Sequence, residues 1–331
     1  MGFSLISAAK ERPAAGAGGE CRRGTRSFVA AFWFAVLVFA LAIAGCAGAS
    51  SARLKTENLF RDAGLGSSQT VSDYDALVFE SEGSEIYGQI LKPQGAPDGR
   101  RPCVLIFHGF AGFGRFDDVG QALCRAGCVV LIPHHRGAWG SRGKYSVSNC
   151  VRDAVALVKY VKTPDFRKKY GIDPEAVFLI GHSMGGNTVL NAAAELPGVR
   201  GIVMLAPCDI GSMYRRMPKA EMKTFMVENG LEVLHTDGFD AVYGDLGRHA
   251  AEYAFPNAVK KLRQVDLFLA MGERDTCISN DLLKAFYAAA RENPTLPSCA
   301  FRSYPAAHGL MGVRIRLSRD IAEFILSSLK Q

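Results

Sequence analysis

The sequence has no Cys-x-x-Cys pair, no internal repeat and no extended basic run. The only closely spaced cysteines, Cys124 and Cys128, have no matching histidine partner, so a structural zinc site is not expected. Without repeats, one folded domain accounts for the patterned part of the chain. A formal charge of +7 would suggest nucleic acid, but five basic and two acidic residues lie ahead of the first apolar run, leaving 34 basic against 30 acidic residues beyond it. Basic and aromatic residues do not interleave there, so the charge reads as solvated surface with no nucleic-acid partner. With 331 residues, 48% hydrophobic and 21% charged, the chain can bury a large core and is not of disordered composition.

From Phe28 to Gly45 the chain carries no charge, and Arg22, Arg23 and Arg26 precede it. That pattern is an export signal or a membrane anchor over 1–45. Its end, Ile43-Ala44-Gly45-Cys46, resembles the lipobox of bacterial lipoproteins, in which the cysteine is acylated and becomes the mature N-terminus. Retention of the run as an uncleaved helix is the alternative. Either way the bulk of the chain is expected outside the cytoplasm, anchored to a membrane. Loss of Cys21 and lipidation of Cys46 would leave seven cysteines of nine, an odd number, and Cys103 and Cys128 read as buried reduced thiols.

Small and polar residues over 46–73 read as a flexible tether. The folded part is expected over 74–331, where β-rich runs alternate with helical patterns and imply a parallel sheet flanked by helices. A leading hairpin ("DALVFES", "SEIYGQILKP") precedes strands at "CVLIFHG", "CVVLIPHHRG", "AVFLIGHS", "GIVMLAPC", "VDLFLAMGERD" and "CAFRSYPAAHG". Between Pro207 and Val265 runs an excursion that this rhythm does not need, taken as a lid-like insertion over about 210–263. Met213, Met217, Met222 and Met226 in it either pack it onto the sheet or line a site for an acyl or aromatic group.

A lone serine stands where "FLIGHSMGGNTVL" passes from strand to helix. Gly181-His182-Ser183-Met184-Gly185 fits G-x-S-x-G in the context that gives the pattern meaning. A sharp strand-to-helix turn needs glycines where backbones touch, and it leaves the serine exposed at a helix N-terminus. A helix cap would explain the serine but not the glycines, so Ser183 is the candidate nucleophile. A base and an acid should follow in the order Ser, Asp or Glu, His. His308, after the last strand, is the expected base. Asp275, in the turn after the preceding strand, is the expected acid, with Asp209 and Glu273 as rivals. The amides of Phe110, in the glycine-rich turn of "LIFHGFAGFG", and of Met184 are the expected oxyanion donors. His108 reads as shaping that turn. His134 and His135, being consecutive, point apart and are not expected to bind metal.

"HGF", "HHRGAWGSRG", "GHSMGG", "GERD" and "AAHG" occur in an order that resembles the α/β-hydrolase family, closest to its dienelactone-hydrolase and prolyl-oligopeptidase-like branches. The resemblance runs from about Tyr74 to the C-terminus. It implies an α/β-hydrolase fold and a cofactor-free, two-step acyl transfer on a small-molecule or peptidic acyl substrate, with a carboxylic ester preferred over an amide or peptide. A lipid-tethered binding protein without turnover is the alternative from another class. His135 stands where relatives usually have an aspartate before the Arg-Gly, which puts that loop's internal salt bridge in doubt. Intact-mass analysis of membrane-extracted protein checks the anchor: cleavage before Cys46 with added lipid is expected, whereas retention of Phe28 to Gly45 would mean a helical anchor.

Overall fold

The computed structural model describes residues 53–62, 72–95 and 97–330. The expected signal or anchor, Cys46 and most of the expected tether lie outside the described residues. No helix among the described residues is long and apolar enough to cross a membrane.

Strands β1 (Asp73–Ser81) and β2 (Ser84–Lys92) form the leading hairpin. The strands β3 (Arg101–Phe107), β4 (Val129–Pro133), β5 (Ile172–His182), β6 (Gly201–Leu205), β7 (Asp266–Gly272) and β8 (Cys299–Tyr304) complete one sheet in the order β1-β2-β4-β3-β5-β6-β7-β8. β2 pairs antiparallel with β1 and β4, and all other neighbours are parallel. β3 to β7 read as unbroken apolar runs because both faces of the sheet are covered. Alternate residues serve opposite faces: Leu105 and Phe107 join one core, Val104 and Ile106 the other.

Helices α1 (Asp117–Arg125) and, at the chain end, Arg314–Ser328 cover the Val104 face. The other face receives α2 (Val147–Val161), α3 (Pro164–Tyr170) and α4 (Met184–Glu195). α3 was not expected from the sequence: it has only seven residues, too few to show a helical period, although Pro164 at its start and Gly171 at its end are ordinary boundary residues.

The excursion folds as α5 (Ile210–Arg216), α6 (Lys219–Glu228), α7 (Phe239–His249) and α8 (Phe255–Lys261). Helices α5 to α7 build a separate apolar cluster around Met222, Met226 and Leu246. α8 does not belong to it: Phe255, Ala258 and Val259 lie in the main core beside α9 (Asn280–Arg291). The final helix, Arg314–Ser328, is α10. The insertion proper is therefore shorter than 210–263, and α8 is the crossover helix leading to β7.

Residues 53–62 depart from the expected tether. Arg53 and Lys55 donate backbone bonds to Arg100 and Ala126, at 3.2 and 2.8 Å, and Leu59 is buried in the second core. Leu54 and Leu59 supply the apolar contacts that a purely polar tether would lack. The arginine of "HHRG" also finds its carboxylate elsewhere: Arg136 Nε donates to Asp153 of α2 at 3.2 Å, with both side chains almost wholly buried.

Candidate active site

Ser183 is the single residue between β5 and α4, with φ 54° and ψ −117°. It is also the one residue from Ala176 to Ala193 that is not buried. Its strained backbone is pinned on both sides: the Ser183 amide donates to Leu205 O at 2.9 Å, and its carbonyl accepts from Cys208 and Gly186, both at 2.9 Å. A Cβ at Gly181 would fall 2.1 Å from Gly185 O, and one at Gly185 2.3 Å from Phe107 O. Both glycines are needed for this turn to close.

His308 lies in the loop after β8 and Asp275 in the turn after β7. The His308 Nδ1 donates to Asp275 Oδ2 at 2.8 Å, and the Asp275 side chain is sealed from solvent. Asp275 Oδ1 accepts from the Cys277 and Ile278 amides, at 2.8 and 3.0 Å. Burial works to raise the Asp275 carboxyl, but the His308 bond and these amides outweigh it and hold it below its ordinary value. Asp209 and Glu273 are occupied elsewhere. Asp209 Oδ1 caps α5 through Ser212 N at 3.0 Å and accepts from Phe255 N at 3.2 Å, while Glu273 accepts from Ser303 on the exposed surface. Ser183 Oγ and His308 Nε2 form no hydrogen bond among the described residues, and such contacts commonly tighten only when substrate is bound.

His182 is a contributor that the sequence did not reveal. Its Nε2 donates to His308 O at 3.0 Å and its ring lies 4.7 Å from the His308 ring. Burial, reinforced by His308, pushes its pKa down to about 3, so it holds the His308 loop as a neutral ring. The pattern G-x-S-x-G leaves that position open, so only the fold shows the contact.

The glycine-rich turn after β3 is braced by Trp139, whose Nε1 donates to Ala111 O at 2.7 Å, and by Tyr145 against Phe110 at 5.7 Å between centroids. Neither the Phe110 nor the Met184 amide has an acceptor among the described residues. His108 donates from Nδ1 to Gly109 O and accepts the His135 amide on Nε2, so both its ring nitrogens serve the turn. His134 and His135 face Arg115 and the His108 carbonyl respectively. Burial lowers both of their pKa values to about 4.

Asp275, Cys277 and His308 each bring a potential metal-ligating atom within 4.8 Å of the others. The Asp275 and His308 atoms are already bonded to each other, so a cation there would have to displace the contact that orients the imidazole.

A cavity of about 640 Å³ opens beside this turn, under α5 and α6. Met213, Met217, Phe225, Ile278 and Leu282 line it together with the charged Asp209, Arg216 and Glu221, and Cys208, whose amide is bonded to the Ser183 carbonyl, also lines it. The four methionines of the excursion thus divide: Met222 and Met226 pack its interior, while Met213 and Met217 face the cavity.

A profile of the family described as serine aminopeptidase, S33, matches residues 98–230, fewer than half of the chain. Monoglyceride lipase of Rattus norvegicus is 33% identical over 136 residues, covering 39% of this chain and 42% of the lipase. The chain thus spans well under half the length of the curated relatives it matches. Among solved structures, the Pyrococcus furiosus esterase Pf2001 aligns with a TM-score of 0.57 at 19% identity, over 77% of this chain and 93% of that one. Est1E from Butyrivibrio proteoclasticus aligns at 0.59 and 18%, over 77% and 99%. The chain has the α/β-hydrolase fold.

The two aspartates should behave differently on substitution. Asp275→Asn is expected to lower kcat by about 10⁴-fold, the loss that the same change gives in serine proteases. Asp209→Asn should keep its activity, because asparagine still accepts the Ser212 and Phe255 amides. Ester turnover by the two purified variants checks this, and a crippled Asp209→Asn beside an active Asp275→Asn would reverse the assignment.

Proposed function

We propose that this α/β-hydrolase-fold chain is a serine hydrolase that cleaves a carboxylic ester through Ser183, His308 and Asp275. The observation that carries the reading is the partly exposed serine on a strained turn, next in sequence to His182, which contacts the His308 loop, together with a His308 whose Nδ1 is fixed by a sealed carboxylate. His308 Nε2 takes the Ser183 proton as Oγ attacks the ester carbonyl. The Phe110 and Met184 amides hold the oxyanion, in keeping with their lack of internal acceptors. Collapse expels the alcohol, which receives the proton from His308. Water, deprotonated by the same imidazole, then releases the acid and restores Ser183. Asp275 keeps the ring in one tautomer and stabilises its charged form. The reaction needs no cofactor.

The methionine- and phenylalanine-lined cavity suits an apolar acyl or alcohol group of moderate size. An ester is also the substrate class implied by the names of the rat relative and the two esterases of similar fold. Export and attachment to a membrane through Cys46 or the apolar run complete the reading.

A panel of straight-chain esters and aminoacyl amides tests the substrate class. Ester hydrolysis should peak at an intermediate chain length. Met213→Trp, which fills the cavity, should reduce kcat/KM for that ester by about tenfold or more while sparing the shortest ester. Turnover of the amides alone would make the protein a peptidase, and no turnover of either would favour a binding protein.

A further inference from the structure

Asp275, Cys277 and His308 bring a carboxylate oxygen, a thiol sulfur and a ring nitrogen within 4.8 Å of one another. Cys277 is a free thiol, exposed and in the wall of the cavity. The turn fixes its place, because Asp275 Oδ1 accepts the Cys277 amide at 2.8 Å. Nothing in the proposed ester cleavage uses this thiol.

One sulfur, one imidazole nitrogen and one carboxylate oxygen form a donor set that suits zinc, a borderline-soft ion often held by three protein ligands and a water. Zinc bonds of about 2.0 to 2.3 Å set tetrahedral donors roughly 3.5 Å apart, so the three must draw in, which the exposed Cys277 side chain can do by rotating. Access is from that side: Cys277 is exposed and His308 partly so, whereas the Asp275 side chain stays sealed until its contact with His308 opens.

The competitor of the ion is a proton. His308 Nδ1 donates to Asp275 Oδ2 at 2.8 Å, and a zinc ion bound to both atoms takes the place of the hydrogen between them. A neutral imidazole with metal on Nδ1 carries its one proton on Nε2. Nε2 then has no lone pair to offer Ser183. The Cys277 thiol gives up its proton to become a ligand, so one zinc ion is bound and one proton is released to solvent.

We propose that Asp275, Cys277 and His308 form an inhibitory zinc site, which switches the imidazole to the tautomer that cannot take the Ser183 proton. The inhibition rests on the serine-hydrolase reading; the binding of metal does not.

The test uses the full chain in a non-ionic detergent, titrated with Co²⁺ as a spectroscopic stand-in and, in parallel, with Zn²⁺ during ester turnover. Co²⁺ should give a saturable thiolate-to-cobalt charge-transfer band that Zn²⁺ displaces. Zn²⁺ should lower kcat saturably, and a chelator should restore it. Cys277→Ser and Cys277→Ala should lose the band and weaken the inhibition by about 100-fold, the upper end of what loss of an outer-shell partner alone costs a metal site. Cys299→Ser, at a partly exposed cysteine on β8, should respond like the parent. Turnover is compared with and without Zn²⁺ within each variant, so an effect of the substitution on ester cleavage itself cancels. Three results would overturn the proposal: a parent without the band, inhibition undiminished in both Cys277 variants, or full ester turnover with the site filled. A parent that cleaves no ester would instead overturn the hydrolase reading, and the band alone would then decide whether the metal site exists.

Discussion

Between an eleven-residue strand and a twelve-residue helix the chain allows itself one residue, Ser183, in which to reverse its backbone geometry. A non-glycine residue at φ 54° costs about 1–3 kcal/mol and persists only where its surroundings over-determine it. Here they do. Backbone bonds to Leu205, Cys208 and Gly186 fix the turn, and the absence of side chains at Gly181 and Gly185 lets helix, strand and the neighbouring β3 close on it. The same closure brings the glycine-rich turn after β3 against Ser183: a Cβ at Gly109 would lie 3.0 Å from the serine Cβ. Once this turn is formed, the parallel order of β5, β6, β7 and β8 delivers Cys208, Asp275 and His308 to one edge of the sheet. That is the crevice in which open α/β sheets bind their ligands.

Much of this was legible in the sequence because the physics behind it is local or periodic. Strands covered on both faces must be apolar throughout, so β3 to β7 stand out as short apolar runs between glycine, proline and polar turns. The boundaries of α2, Val147 and Val161, follow from an amphipathic period opened by Ser146, whose side chain accepts from Asn149 N at 3.2 Å. The loops after the last two strands also single out Asp275 and His308, since each carries a candidate acid or base just past a strand end, although Glu273 stands in the same turn as Asp275. What escaped is long-range. Nothing near Leu59 announces that it will be buried, and the departure at His135 gives no hint that Arg136 will pair with Asp153 on a different element. α8 shows the same limit: its residues look like part of the insertion until Phe255 is seen packed on Phe286, 4.7 Å between centroids.

The two edges of the sheet have different characters. At the carboxyl edge the cavity beside Asp275 combines sulfur, aromatic and aliphatic groups with Asp209, Arg216 and Glu221, while at the amino edge a cleft is lined by guanidinium and ammonium groups with Asp98 among them. Met213, Met217 and Phe225 come to the first from the insertion. The cations of the second come both from the leading segment, Arg53 and Lys55, and from the domain itself, Arg100, Arg101 and Arg125.

The central claim is that Ser183 is the nucleophile, and its most direct measurement is the site of covalent capture. After reaction with a fluorophosphonate, digestion and peptide mass spectrometry should find one equivalent of phosphonyl adduct on the peptide containing Ser183, lost in Ser183→Ala although that variant melts like the parent. An unlabelled parent, or an adduct on another residue that survives Ser183→Ala, would contradict the account.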